Sequence, residues 1–306
     1  MTNPRKPPAA PANLRSLQDR LRNLAAKAAL PEGRVQRQLG TYVAAEILQQ
    51  VQAGGEPGTS LFLVKGGSQI EMRLGISRSR ASKDLDASFR GDFDQMYGRA
   101  REAFGIGWNG FAAELTPAET IAVPGLLVAP VRFKAKLKYR GFPFCTVPLE
   151  VSPAEASSGE EHDEIAPALL AHIGLEGLGL QANSKVACLA LRYQIAQKLH
   201  ACTEVLEGKD NDRAHDLVDI QLLMDLVDPT AMQPLLAACQ EIFLARAMQA
   251  WPPTLQPPGS WAKLYPAARA DVLEADALGL AGTIEEAVAV VQGFIATITE
   301  AEAESV

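Results

Sequence analysis

The chain of 306 residues is 47% hydrophobic and 21% charged, with a net charge of −7, proportions that exclude disorder, collagen and coiled coil as descriptions of the whole. The charge is lopsided: residues 1–150 carry 21 Lys and Arg against 13 Asp and Glu, a balance of +8, and residues 151–306 carry 8 against 23, a balance of −15. The four cysteines (Cys145, Cys188, Cys202, Cys239) form no C-x-x-C pair, which excludes zinc-finger spacing and a dense disulfide framework.

The first residues, MTNPRKPPAAPANLR, are Pro-rich and cationic without an apolar stretch, so residues 1–12 are expected to be a disordered tail rather than a secretory signal. No run of about eighteen apolar residues follows. A cytoplasmic protein with no membrane partner is the expectation. Leu14, Leu17, Leu21 and Leu24 recur at helical spacing and predict a helix over 14–30, broken by Pro31 and Gly33. Leu39, Val43, Ile47 and Val51 predict a second over 34–52.

The chain then changes character. Leu61-Phe62-Leu63-Val64 reads as a buried strand, followed by Lys65-Gly66-Gly67-Ser68 and a helix from Gln69 to Leu74. Residues 82–89 are predicted to form a second strand and residues 94–104 a helix. Val131 to Tyr139 alternates strictly: Val131, Phe133, Ala135, Leu137 and Tyr139 face one way, and Arg132, Lys134, Lys136 and Lys138 the other. Gly141 turns this strand into Phe144–Val151 as a hairpin. Residues 153–163 read as a loop, and from Lys185 onward the pattern is mainly helical, interrupted by a Pro-rich stretch at 252–258.

Asp84-Leu85-Asp86 places two carboxylates on one face of the predicted strand, about 6–7 Å apart at the strand rise. Like charges there repel, and Asp is depleted in strands. A divalent cation such as Mg²⁺ turns that cost into a gain, since hard oxygen ligands suit it; two acids at a solvated strand end are the plain alternative. The strand–Gly66-Gly67-Ser68–helix turn lets backbone N–H groups approach a phosphate at a helix start, or is simply a tight turn. Lys65, Arg78 and Arg80 add cationic donors around it. Glu150, within Leu149-Glu150-Val151, is the candidate third carboxylate of two-metal chemistry, or an edge residue. The row Arg132, Lys134, Lys136, Lys138 and Arg140 is either a solvated strand face or a track for a phosphate backbone.

The ordered set Lys65-Gly66-Gly67, Arg80-x-Ser82-x-Asp84-x-Asp86 resembles the AbiEii/AbiGii-type toxin nucleotidyltransferases of the DNA polymerase β-like superfamily. Leu191-Arg192-Tyr193-Gln194-Ile195-Ala196-Gln197-Lys198-Leu199-His200-Ala201 is similar to that family's K-x-x-A helix. Asn211-Asp212-Arg213-Ala214-His215-Asp216-Leu217-Val218-Asp219 is similar to its R-x-x-D-x-x-D element. The blocks stand in family order over roughly residues 35–225.

The resemblance implies an α+β fold: a small mixed sheet forming the nucleotidyltransferase core, with N-terminal helices and a helical C-terminal domain. The corresponding segments are 13–155 and 156–306. It implies a nucleotide site built from Lys65, Gly66, Gly67, Ser68, Arg80, Ser82 and Lys198, and Mg²⁺ on Asp84 and Asp86, with Glu150 as the further ligand. Lys198 would meet the triphosphate, and Asp216 would be a further active-site acid, favoured over Asp219. The activity implied is transfer of an NMP from an NTP to a tRNA 3′ end, another RNA or a protein hydroxyl, by a toxin with a separately encoded antitoxin. A nucleotide-binding regulatory protein and a small-molecule nucleotidyltransferase are the alternatives. One departure is Ser68-Gln69-Ile70-Glu71, which brings Glu71 towards the phosphates unless its side chain faces away.

Overall fold

The alternation over residues 131–139 becomes a strand, β5 (Val131–Tyr139), in which Phe133, Ala135, Leu137 and Tyr139 are buried and Arg132, Lys134 and Lys136 exposed. Alternation at period two decides this, because one face of β5 meets the core and the other meets water. The computed structural model describes residues 8–55, 58–122, 128–168, 175–181, 185–206 and 208–301; the first seven residues of the predicted tail lie outside them. Around β5 stand β1 (Phe62–Lys65), β2 (Leu85–Phe89), β3 (Phe111–Leu115), β4 (Glu119–Thr120), β6 (Phe142–Pro153), β7 (His162–Ile165) and β8 (Val186–Leu189). Among the described residues they form one mixed sheet in the order β3-β5-β6-β2-β1-β8-β7, with β4 beside β5. β2 runs parallel to β6, and β1 parallel to β8; the other pairs are antiparallel.

Helices α1 (Leu14–Lys27), α2 (Glu32–Leu48) and α4 (Phe93–Ile106) pack with the apolar face of β2, β5 and β6 in one core. The Asn13 side chain caps α1 by accepting from Ser16 N, and the helix stops three residues short of the predicted end. From Gln38 to Leu48 every residue of α2 is buried, as befits a helix covered on all sides. Gly40 makes the close approach possible: a Cβ there would stand 3.3 Å from Val147 Cγ2. Residues 8–12, expected within the tail, lie against this layer, with Tyr139 Oη donating to the Pro11 carbonyl at 2.7 Å.

α3 (Gly66–Leu74) starts at the diglycine itself, three residues earlier than predicted. β2 starts at Leu85, three residues later than predicted, so Ser82 and Asp84 sit in the bend before it. Four strands fall where none was predicted, the two-residue β4 among them. β3 carries weak alternation, and β7 lies in the segment read as loop. β8, Val-Ala-Cys-Leu, is a four-residue apolar run whose periodicity cannot separate a strand from a buried helical turn; pairing with β1 and β7 decides it. The α+β architecture implied by the resemblance is therefore present, with a broader sheet.

A one-turn helix, α5 (Leu175–Leu178), precedes β8. Beyond it, α6 (Leu191–Thr203), α7 (Ala214–Met224), α8 (Met232–Arg246), α9 (Trp261–Ala270) and α10 (Ile284–Glu300) enclose a second apolar core, to which α3 contributes Ile70. The first core ends with Cys188 and the second begins with Leu189. No helix among the described residues is long and apolar enough to cross a membrane.

Candidate active site

Sheet register builds the site. Lys65 is opposite Asp86, Asp86 opposite Glu150, and Glu150 opposite Arg132. Residues paired across a sheet share a face, and adjacent strands lie about 4.8 Å apart. The four charged side chains thus form one row across β1, β2, β6 and β5. The neighbouring row, Leu85, Leu149 and Phe133, is buried on the other face. Lys65 Nζ donates to Ser152 Oγ at 2.6 Å, and Arg132 Nη2 donates to Glu150 Oε2 at 3.2 Å.

The diglycine bend touches this row. Gly66 has φ +65°, and a Cβ on it would stand 2.9 Å from Asp86 Cγ. A Cβ on Gly67 would stand 3.0 Å from Ser82 Oγ and 3.3 Å from Arg80 Nη2. Ser68, buried, donates to the Asp84 carbonyl, and Ser82 Oγ donates to the same carbonyl at 2.9 Å. Both hydroxyls thereby hold the backbone at Asp84.

The row holds like charges at close quarters. Burial pushes the Asp86 carboxyl up to about 7, with Asp84 and Glu150 adding to the push against Lys65 and Lys198. Lys65 is held below its ordinary value by burial, although Glu155 and Asp86 act the other way. Among the described residues no group of three or more His, Cys, Asp and Glu side chains forms a ready-made metal cage. Asp84 and Asp86 nevertheless suit Mg²⁺, which binds through one or two carboxylates and completes its shell with water and substrate phosphates.

A second cluster faces the bend from the helical side. Lys198 Nζ donates to Asp216 Oδ1 and to Asp219 Oδ2, both at 2.7 Å. Arg80 donates from Nε and Nη2 to the two oxygens of Asp219, both at 2.8 Å. Asp219 is fully buried; burial opposes its ionisation, but Lys198 and Arg80 outweigh it and hold the carboxyl well below the usual carboxylate range. Asp216 is likewise buried and held low, by Lys198, His215 and Arg213. Gln194 Nε2, also on α6, donates to the Gly66 carbonyl at 2.9 Å, tying this cluster to the bend.

Glu71 points towards α2 and the Ser82 backbone. It is buried and faces Arg34 of α2 at 3.7 Å, and burial raises its carboxyl to about 7 against the pull of Arg34 and Arg37. Arg34 in turn donates to the carbonyls of Ser79, at 2.6 Å, and Asp271, at 3.0 Å.

The sequence-derived candidates thus fall in one region: Lys65, Asp86 and Glu150 in the row, Gly66, Gly67 and Ser68 at the start of α3 against it, Ser82 and Asp84 in the bend before β2, and Arg80, Lys198 and Asp216 around the cluster on the helical side. Sequence reasoning ranked Asp219 below Asp216, yet Asp219 is the carboxylate shared by both cations. The spacing 216/219 already placed both acids on one helix face; which one Arg80 reaches depends on the path of residues 75–84. Gln194 was not singled out.

The family model "Nucleotidyl transferase AbiEii toxin, Type IV TA system" matches residues 52–289, a span that holds every residue of the charged row, the diglycine bend and the Lys198 cluster. Among solved structures, the chain is similar to MenT4, a nucleotidyltransferase toxin of Mycobacterium tuberculosis H37Rv, at 17% identity and a TM-score of 0.49, over 91% of this chain and 98% of that one. No curated protein matches the chain.

Proposed function

The chain belongs to the AbiEii family of nucleotidyl transferase toxins of type IV toxin–antitoxin systems, and from that premise we propose that it transfers an NMP from an NTP to the 3′ hydroxyl of an RNA acceptor, with Mg²⁺ held by Asp84 and Asp86. The observation that carries this reading is the contact of the diglycine bend with Asp86, inside a row of three strands that also presents Lys65 and Glu150.

Gly66 and Gly67 leave room for phosphate oxygens against their backbone, and Arg80, beside Gly67, gives the β- and γ-phosphates a guanidinium. Lys198, paired with Asp216 and Asp219, adds positive charge on the same side, where charge develops on departing pyrophosphate. The acceptor oxygen attacks the α-phosphorus, the bond from that phosphorus to the bridging oxygen of the β-phosphate breaks, and pyrophosphate leaves. The proton of the acceptor hydroxyl passes to a carboxylate, for which Glu150, half-exposed on the side away from Gly66, is placed. When bound, the divalent cation supplies neutralisation between the triphosphate and the two aspartates. Asp216 and Asp219 act as positioning residues for Lys198 and Arg80. The free cysteines among the described residues suit the cytoplasm as the place of action, and a separately encoded antitoxin would be the partner.

The test is to incubate the protein with each labelled NTP, Mg²⁺ and total RNA. Label moves to RNA with the wild type and is lost in the Asp84→Ala/Asp86→Ala variant; transfer that persists unchanged in that variant overturns the assignment. Lys198→Ala should lower transfer by at least about a hundredfold, the scale of losing one charge-stabilising group. Label that enters protein or a small molecule but never RNA would overturn the choice of acceptor.

A further inference from the structure

We propose that the exposed face of β5 and β6, carrying Arg132, Lys134 and Lys136, is the track on which the phosphate backbone of the acceptor RNA lies as its end reaches the Asp86–Glu150 row. This rests on the RNA-directed reading above and adds the surface and the direction of approach.

Register makes the track continuous with the site. Arg132 is opposite Glu150 in the same row as Asp86, and Lys134 and Lys136 follow Arg132 on the same side of β5. At strand rise, cations succeed one another every 6–7 Å or so, a spacing a flexible polyanion can follow. Lys134 and Lys136 are exposed and make no ion pair among the described residues. The acids on this face are Glu150, paired with Arg132; Glu114, bonded to Lys138 and opposite Lys136 in register; and Glu119, opposite Arg132 in register. Arg132, Lys134, Lys136 and Lys138 outnumber these three acids, and the excess of like charge on one face is a cost in the isolated protein. A phosphate backbone removes that cost.

Further cations flank the β6 edge between this face and α2. Lys134 and Lys136 are opposite Pro148 and Thr146 of β6, which help line a cleft of about 300 Å³ together with Arg37 and Lys83. Lys83 is exposed and immediately precedes Asp84. At the opposite end of the row Gln194 of α6 bonds the Gly66 carbonyl, which sets the helical side against the bend. A polymeric acceptor therefore has the β5/β6 side as its approach, and the NTP the bend.

The test is anisotropy titration of a fluorescent single-stranded RNA with the full chain, from 50 to 200 mM salt, alongside NTP binding. Lys134→Glu/Lys136→Glu should weaken RNA binding at least tenfold and make the log–log salt slope shallower by about 1.4, the value for two phosphate contacts on a single strand, with NTP binding unchanged. Arg99→Glu/Arg101→Glu makes the same charge change on α4, whose Tyr97 ring packs on Phe133 of the opposite face, and should leave RNA binding unchanged. Thermal melting confirms that each variant is folded. Equal binding by wild type and the β5 variant overturns the track while leaving the RNA acceptor standing; an equal loss in the α4 variant reduces the effect to bulk charge and also overturns it. A wild type that binds no RNA overturns the acceptor reading and the track together. Poly-glutamate bound as tightly as RNA, and lost in the same variant, would make the face a site for an acidic protein instead.

Discussion

Gly66 and the Asp86 carboxylate are in contact: residue 66 has φ +65°, and a Cβ there would stand 2.9 Å from both Cβ and Cγ of Asp86. Gly66→Ala therefore carries a backbone cost of about 1–2 kcal/mol for left-handed conformation and also displaces the aspartate. We expect it to abolish measurable nucleotidyl transfer. Gly54→Ala is the matched control, since Gly54 has φ +60° with nothing within 4 Å; it should show the backbone cost in urea melts and keep its transfer rate. Equal rates in the two variants would remove the close approach from the mechanism.

Asp219 is a buried carboxylate that neutralises two cations. Asp219→Asn leaves Arg80 and Lys198 undercompensated, and losing one member of such a network costs about 3–5 kcal/mol. Asp216→Asn should cost less, because Asp216 serves Lys198 but not Arg80. Denaturant midpoints of the two variants check the order; a larger loss for Asp216→Asn would show that Asp219 is not the hub.

Ser68 and Ser82 both donate to the Asp84 carbonyl. Each single Ser→Ala change leaves one donor, whereas the double variant leaves that carbonyl without either, at a cost of about 1–3 kcal/mol. The expected signature is a raised Mg²⁺ concentration for half-maximal transfer in the double variant, with the single variants near wild type. Unaltered Mg²⁺ dependence in the double variant would separate these hydroxyls from the placement of Asp84.

His200 gives stability a pH dependence. Burial, then the neighbouring Arg246, lower its imidazole to about 4, with Glu155 opposing, and its ring packs on Phe243 at 4.9 Å. The folded value lies below the unfolded one of about 6.5, so the folded state holds fewer protons between them. The stabilisation is full above about 6.5 and is lost as pH falls towards 4, reaching at most about 3 kcal/mol. His200→Gln should flatten this part of the profile. Urea midpoints at pH 7 and pH 5 measure it, and an identical fall in both proteins would exclude His200 as the source.

Local pattern exposed much of this architecture. Strict alternation over Val131–Tyr139 and leucines three or four residues apart from Leu14 are short-range signals, and both elements form where they were expected, with α1 ending three residues early. The diglycine, the two aspartates and the Lys198 helix were readable because glycine, acid and base at fixed separation limit what chemistry is possible. β7 and β8 were not readable, since four residues carry too little periodicity and their pairing partners are remote in sequence. The bond from the Ser68 hydroxyl to the Asp84 carbonyl, sixteen residues away, was unreadable for a related reason, since a separation that long is closed only by folding.

Residue types and their spacing alone determined the family, the α+β class and the short roster of acids, bases and glycines, because these depend on composition and on periods of two and 3.6. The tertiary structure alone decided that Lys65, Asp86, Glu150 and Arg132 share one row, that Arg80 and Lys198 meet on Asp219, and that Glu71 looks into α2. Each of these joins residues from separate segments, and strand register and helix docking are set by burial of the two cores rather than by any neighbour along the chain.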